Sequence, residues 1–175
     1  DILEISADLR ARQQALLQSR APHLANRVYW LESLPGNFSG ALIANEVLDA
    51  LPVHLIQWRG ANITERGVAS REGKFVWHER PPQIPALDQL ARLIQVPDST
   101  LSEISLAVRG LVNSLSQSLQ AGALLFIDYG FGAREYYHPQ RHSGTLMCHY
   151  RHHAHDDPFF LPGLQDITAH VDFTA

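Results

Sequence analysis

Cys148 is the only cysteine in the chain. One thiol closes no intrachain disulfide, so the fold has to be held by its apolar core, as suits a reducing compartment. A basic excess is missing as well: 14 Lys and Arg face 18 Asp and Glu, a net charge of -4 with neutral histidines. That balance excludes recruitment of nucleic acid or acidic lipid by an overall positive field. No apolar run approaches the roughly 20 residues of a membrane span, so no membrane insertion is expected. The sequence also has no HExxH, CxxC or GxSxG, and neither a phosphate-loop nor a dinucleotide glycine fingerprint.

What is present is the composition of a folded domain. The chain has 175 residues, 45% hydrophobic and 18% charged, which is enough for a real core and argues against disorder. Residues 1–5 read as a short strand. Ser6 is a good N-cap for the helix that follows, and Pro22 closes that helical region. Short strands are expected at 28–31 and 41–45, with the turn-rich LPGNFSG between them. From Val53 the chain alternates, carries β-branched and aromatic residues, and breaks at RG and REG, which predicts a meander of two or three strands. Prolines 81, 82 and 85 end it. Helices are expected over 86–95 and 99–120, the second with Leu101, Ile104, Val108, Leu111, Leu115 and Leu119 on one face and Gly122 as its cap. ALLFI is then a buried strand ending in Asp128-Tyr129-Gly130, residues 131–163 read as loop, and DITAHVDF opens another helix or strand. Strands alternating with helices argue for an α/β, mostly parallel sheet. Residues 1–52 and 82–175 would form its core, and 53–81 a β-meander insertion.

In such sheets ligands bind beyond the carboxyl ends of the strands, and that is where polar residues gather here: Glu4, Asn45-Glu46 and Asp128-Tyr129. Glu4 ends a strand that leads into a helix. A carboxylate there can accept from both hydroxyls of a ribose, or it can simply favour the helix dipole. Glu46 and Asp49, three positions apart, would share a face of a helical turn. They could grip a guanidinium or ammonium group, or cap the turn. Asp128 leaves a buried strand and needs donors, from a ligand or from a neighbouring loop's amides. The run HYRHHAHDD, 149–157, reads as a solvated His-rich loop, and no metal is expected.

These residues also carry a family resemblance. LEISADLRARQ (3–13), Trp30 and Leu34 in a W-x3-L, ANEVLDALPVH (44–54), DYG (128–130) and PGLQDITAHVDF (162–173) together resemble the MidA-like family of S-adenosylmethionine-dependent methyltransferases, relatives of the mitochondrial complex I assembly methyltransferase. His153 and Asp157 also fall where that family has His and Asp. The resemblance implies a class I methyltransferase fold, a Rossmann-like sheet with helices on both faces. By it Glu4 would hold the ribose hydroxyls, Ile5 and Leu34 would lie near the adenine, and Asn45-Glu46 beside the methyl donor. The implied reaction is in-line methyl transfer from S-adenosylmethionine to a protein arginine, giving symmetric dimethylarginine on a respiratory complex I subunit. Glu46 and Asp49 would orient the guanidinium, with Asp128 or His153 taking the proton.

One departure from the family pattern shapes the expectation. The glycine-rich loop that cradles the methionine half of the cofactor has no counterpart here, since Gly36 stands alone before Ser39. The chain thus looks like the middle of the family's protein, without the first strand and the C-terminal part. Such a piece would be inactive alone, and an open sheet edge would be a route to a homodimer. The implied location is the cytoplasm of a bacterium or the mitochondrial matrix of a eukaryote. The alternative function is a non-catalytic methyltransferase-like assembly factor that grips a partner protein without turnover.

Overall fold

The computed structural model describes all of residues 1–175. In chain order its elements begin with β1 (Ile2–Leu3), α1 (Ala7–Arg20), a 3-10 turn (Pro22–Arg27), β2 (Trp30–Leu31), β3 (Phe38–Asn45), β4 (His54–Arg59), β5 (Asn62–Arg71) and β6 (Lys74–Arg80). They continue with α2 (Pro85–Leu93), β7 (Leu101–Ile104), α3 (Leu106–Ser118), β8 (Leu119–Ile127), β9 (Gly130–Phe131) and α4 (Ala133–Tyr136). The last are β10 (Met147–Tyr150), β11 (His153–His155), β12 (Asp166–Thr168) and β13 (Val171–Asp172). The chain divides into two units: Asp1–Ala41 with Ser114–Ala123, and Leu42–Asn113 with Leu124–Ala175.

In the first unit β1 and β2 pair in parallel, Ile2 opposite Trp30 and Leu3 opposite Leu31. Ser6 caps α1 as its sequence suggests: Oγ accepts from the Leu9 N–H at 3.3 Å. The helix ends where Pro22 starts the tighter 3-10 turn. Arg10 donates to the Trp30 carbonyl at 3.2 Å and so ties the helix back to β2.

The second unit is built on an antiparallel sheet in the order β6-β5-β4-β7. The β5–β6 hairpin turns on Glu72 and Gly73, both at positive φ (+52° and +74°), the geometry a two-residue loop needs to follow the strand twist. Ile56 and Trp58 from β4 and Ile104 from β7 bury against Leu87 and Ala91, one helical turn apart on α2. Each such side chain contributes about 1.5–3 kcal/mol by leaving water. The Trp58 Nε1–H, enclosed with them, donates to the Ala91 carbonyl at 2.9 Å. Pro85 in the first turn of α2 and the Asp88–Arg92 pair one turn apart (2.9 Å) support the helix locally. A second antiparallel sheet runs β11-β10-β12. Parallel pairing recurs between β9 and β13, Gly130 opposite Val171.

Two stretches differ from the sequence reading. The helix expected over 99–120 is shorter, because residues 101–104 pair with β4 as β7, Gln57 opposite Leu101. Ser105 then caps α3, its Oγ accepting from the Val108 N–H at 3.1 Å. The region 131–163, expected as loop, holds α4, β10 and β11.

The β7 assignment changes the meaning of Glu103. It is 1% exposed, not on a helix surface. Its Oε1 accepts from the Thr145 and Leu146 amides (2.8 and 2.9 Å), and its Oε2 from the Thr145 and Tyr136 hydroxyls (3.2 and 3.3 Å). Gly144 lets that loop close: at φ +78°, a Cβ there would sit 2.3 Å from Glu103 Oε1. Glu103→Ala strands two buried amides and is expected to cost about 3 kcal/mol. The urea midpoint reads this out, and an unchanged midpoint would show that the loop does not depend on the carboxylate.

Candidate active site

Asn45, exposed, is the last residue of β3, and the chain then turns through Glu46 at φ +51°. This is an uncommon conformation for a residue with a Cβ, and it is held by the Glu46 N–H donating to the Ile127 carbonyl at 2.9 Å. The amides of Val47, Leu48 and Asp49 then converge on a single atom. Asp128 Oδ2 accepts from all three, at 3.1, 2.8 and 3.4 Å. Its other oxygen accepts from the Tyr129 amide at 2.9 Å. Successive backbone N–H groups curled around one oxygen are a binding place for an anion, here supplied by the chain itself.

Three carboxylates predicted from sequence are therefore close together: Glu46, Asp49 and Asp128. Glu46 Oε1 accepts from the Tyr129 hydroxyl at 2.7 Å, and this bond, with the negative charge beside it, pushes the phenol's pKa up. Asp49 is 7% exposed, and its Oδ1 is buried without a hydrogen-bond partner. Burial first, and then the charges of Asp128, Asp166 and Glu46, raise its carboxyl above the ordinary range, against a smaller pull from the Ala50 amide. A buried carboxylate oxygen without a donor costs stability, and groups of this kind gather at functional sites.

The remaining predicted residues lie apart from that turn in the chain. In the first unit, Glu4 follows β1 directly, its Oε1 accepting from the Ser6 amide (2.8 Å) and its Oε2 from Gln13 Nε2 (3.2 Å). Gln13 in turn accepts from Trp30 Nε1 at 2.9 Å, so strand and helix together fix the carboxylate. Ile5 beside it is 95% exposed, and Leu34 is half-buried. His153 is exposed on β11, opposite Tyr150. No group of three or more His, Cys, Asp or Glu is placed to hold a metal ion. Sequence reasoning missed the bond from Tyr129 to Glu46 and a second paired group, His54 Nδ1 at 2.8 Å from Glu65 Oε1. The first spans 83 residues, beyond any local pattern.

The family model described as "Putative S-adenosyl-L-methionine-dependent methyltransferase" matches residues 1–175. The chain belongs to this family. Among curated proteins, "Protein arginine methyltransferase NDUFAF7, mitochondrial" of Danio rerio is 29% identical over 163 residues, 84% of this chain and 34% of that protein. The Mus musculus protein of the same name is 31% identical over 157 residues, 82% of this chain and 31% of its own length. A crystal structure from Burkholderia thailandensis bound to S-adenosyl-homocysteine superposes with a TM-score of 0.91 at 47% identity, covering 99% of this chain and 45% of that one. The chain thus spans about a third of the curated relatives and under half of the solved one.

S-adenosylmethionine is the cofactor of this methyltransferase family. The adenosine half fits what the first unit offers. The Glu4 oxygens each keep a lone pair beyond the protein donors they accept. Ile5 presents an apolar side chain wholly to solvent, where an aromatic base could cover it.

The state of Asp49 gives a signed prediction. Its folded pKa is raised, so it favours folding most below its unfolded value and least above its folded one. Asp49→Asn is expected to raise Tm at pH 7 by about 3 °C, with the gain shrinking as pH falls toward 4. A thermal-melt series over that range checks it, and a fall in Tm at pH 7 would mean that the carboxylate is matched.

Proposed function

We propose that the full-length protein methylates an arginine side chain of another protein, with S-adenosylmethionine as donor. One observation carries this reading: Asp49, buried beside Glu46 and Asp128, has a carboxylate oxygen with no donor. A guanidinium is permanently charged and offers five N–H donors in a fork, which is the complement such a site lacks. The Danio and Mus relatives carry protein arginine methyltransferase in their names, at about 30% identity.

Bound S-adenosylmethionine supplies a methyl group on a positively charged sulfur. The chain's own residues then have separable tasks. Glu4 takes the ribose hydroxyls, Ile5 and Leu34 cover the adenine, and Asn45 lies beside the donor. Glu46 and Asp49 hold the guanidinium so that one nitrogen lone pair faces the methyl carbon. Tyr129, by donating to Glu46 Oε1, leaves Oε2 as the acceptor for substrate. That lone pair would become the new nitrogen–carbon bond, while the pair of the breaking sulfur–carbon bond would stay on sulfur, which leaves as a neutral thioether. The proton shed by the nitrogen passes to His153 or to water. Asp128 already accepts four amides, so its oxygens are committed to the backbone and it acts by holding the 46–49 turn. We place the protein in the bacterial cytoplasm or the mitochondrial matrix and take its substrate to be a protein, a respiratory complex I subunit by analogy.

Two measurements test the reading. Glu4→Ala is expected to weaken S-adenosylmethionine binding to the full-length protein at least about tenfold by calorimetry, the loss of a charge-assisted pair of hydrogen bonds. A deletion strain should lose dimethylarginine from one or a few proteins, restored by wild type and not by Asp49→Asn. An unaltered set of dimethylarginine peptides would sink the arginine assignment.

A further inference from the structure

The second unit holds a cleft of which the roles above use only Asp49. Asp49 lines it, as do His54 and Glu65, while Val68 and Trp77 on the β5–β6 hairpin and Ile167 on β12 give it apolar walls. Those walls are open to solvent: Val68 is 58% exposed, and Trp77 and Ile167 39% each. Apolar surface left bare inside a concave site is surface a ligand can cover.

Most charged groups in the cleft already have a partner. Glu65 has His54 at 2.8 Å and Arg80 at 4.0 Å. Arg66 has Glu79 at 3.0 Å, with its guanidinium 5.9 Å from the centre of the Trp77 ring. Among the charged groups lining the cleft, only Asp49 has a buried oxygen without a hydrogen-bond partner, and three further carboxylates act on it. An occupant of this cleft should therefore bring one cation to Asp49 and apolar groups to the walls.

We infer that the cleft takes an extended segment of the substrate protein in which apolar residues stand two positions from the methylated arginine. In an extended chain, side chains two positions apart share a face and lie about 7 Å from each other. An arginine reaching Asp49 then lays its second neighbours along Trp77, Val68 and Ile167. This inference rests on the arginine reading and adds to it a sequence preference set by the meander.

The test is fluorescence anisotropy with three labelled peptides on the full-length protein: acetyl-Leu-Gly-Arg-Gly-Leu-amide, the same peptide with citrulline for arginine, and acetyl-Gly-Gly-Arg-Gly-Gly-amide. The first is expected to bind at least about tenfold tighter than the citrulline peptide, which has the shape without the charge. It should also bind about fivefold or more tighter than the glycine-flanked peptide, which lacks the apolar groups. Trp77→Ser and, separately, the more exposed Val68→Ser should narrow the leucine-to-glycine difference and keep the arginine-to-citrulline one. Asp49→Asn should do the reverse. Equal binding of all three peptides, or wall variants that leave the leucine preference intact, overturns the inference. If S-adenosylmethionine binds and dimethylarginine is lost in the deletion strain while the peptides do not discriminate, the cleft assignment fails alone. Discrimination among the peptides without any loss of dimethylarginine keeps the groove and removes the methylation.

Discussion

The Asp128 carboxylate reaches back about eighty residues to gather the amides of Val47, Leu48 and Asp49 on one oxygen. That contact decides the shape of the turn after β3. Without an anion at its centre, three N–H groups would converge on nothing, and the positive φ of Glu46 would rest on its N–H bond to the Ile127 carbonyl alone. Because the turn is fixed, Glu46 meets the Tyr129 hydroxyl and Asp49 is carried inward. One carboxylate thus serves as scaffold so that two others can be held in positions they would not choose. This is the use of oriented backbone amides seen wherever a chain has to place negative charges close together.

Glu103 and Asp49 are both buried acids, and their environments separate structure from function. Each oxygen of Glu103 has at least two donors, and Gly144 is spared a side chain so that the loop can supply them. Such a group is complete and has nothing to offer a ligand. Asp49 is also buried, yet one of its oxygens has no partner, and burial together with the like charges around it raises its pKa. A protein under selection only for stability would remove that carboxylate or pair it. Its presence is explained if the missing donor arrives with a substrate.

Much of this was legible from local pattern. The abrupt end of an apolar run in Asn45-Glu46 and in Asp128-Tyr129 marked strand termini, and Ser6 marked the start of α1, because caps and strand ends are written within a few residues. The hairpins of the meander were readable from RG and REG for the same reason. What failed was non-local. Leu101 and Ile104 are three apart and fit a helical stripe as well as a strand, and only pairing with β4 selects the strand. The His-rich stretch has no period of its own, and β10 is defined by partners on both sides, β11 nearby and β12 further along. The family motifs located the acids but not their partners: neither the three amides on Asp128 nor the hydroxyl on Glu46 can be inferred from spacing.

The occupant proposed for the cleft depends on a charge network that extends behind its wall. Arg59, Arg66 and Thr64 all donate to Glu79, and these contacts, the Arg59 bond foremost, hold its carboxyl at about 2. Glu79 therefore stays ionised at any pH at which the protein is expected to work, and it holds Arg66 beside Trp77 while sharing its charge with Arg59. A free Arg66 would repel an incoming guanidinium over a distance comparable with the Debye length of about 8 Å at physiological salt. Arg66 is held against Glu79, a carboxylate it shares with Arg59, so the preference for a cation comes from the excess of acids around Asp49, which adds Asp128, Asp166 and Glu46 to its own charge. The β-meander thus gives the site more than a wall. Its strand register brings Arg66 opposite Glu79, and that pairing keeps the one guanidinium lining the cleft partly offset.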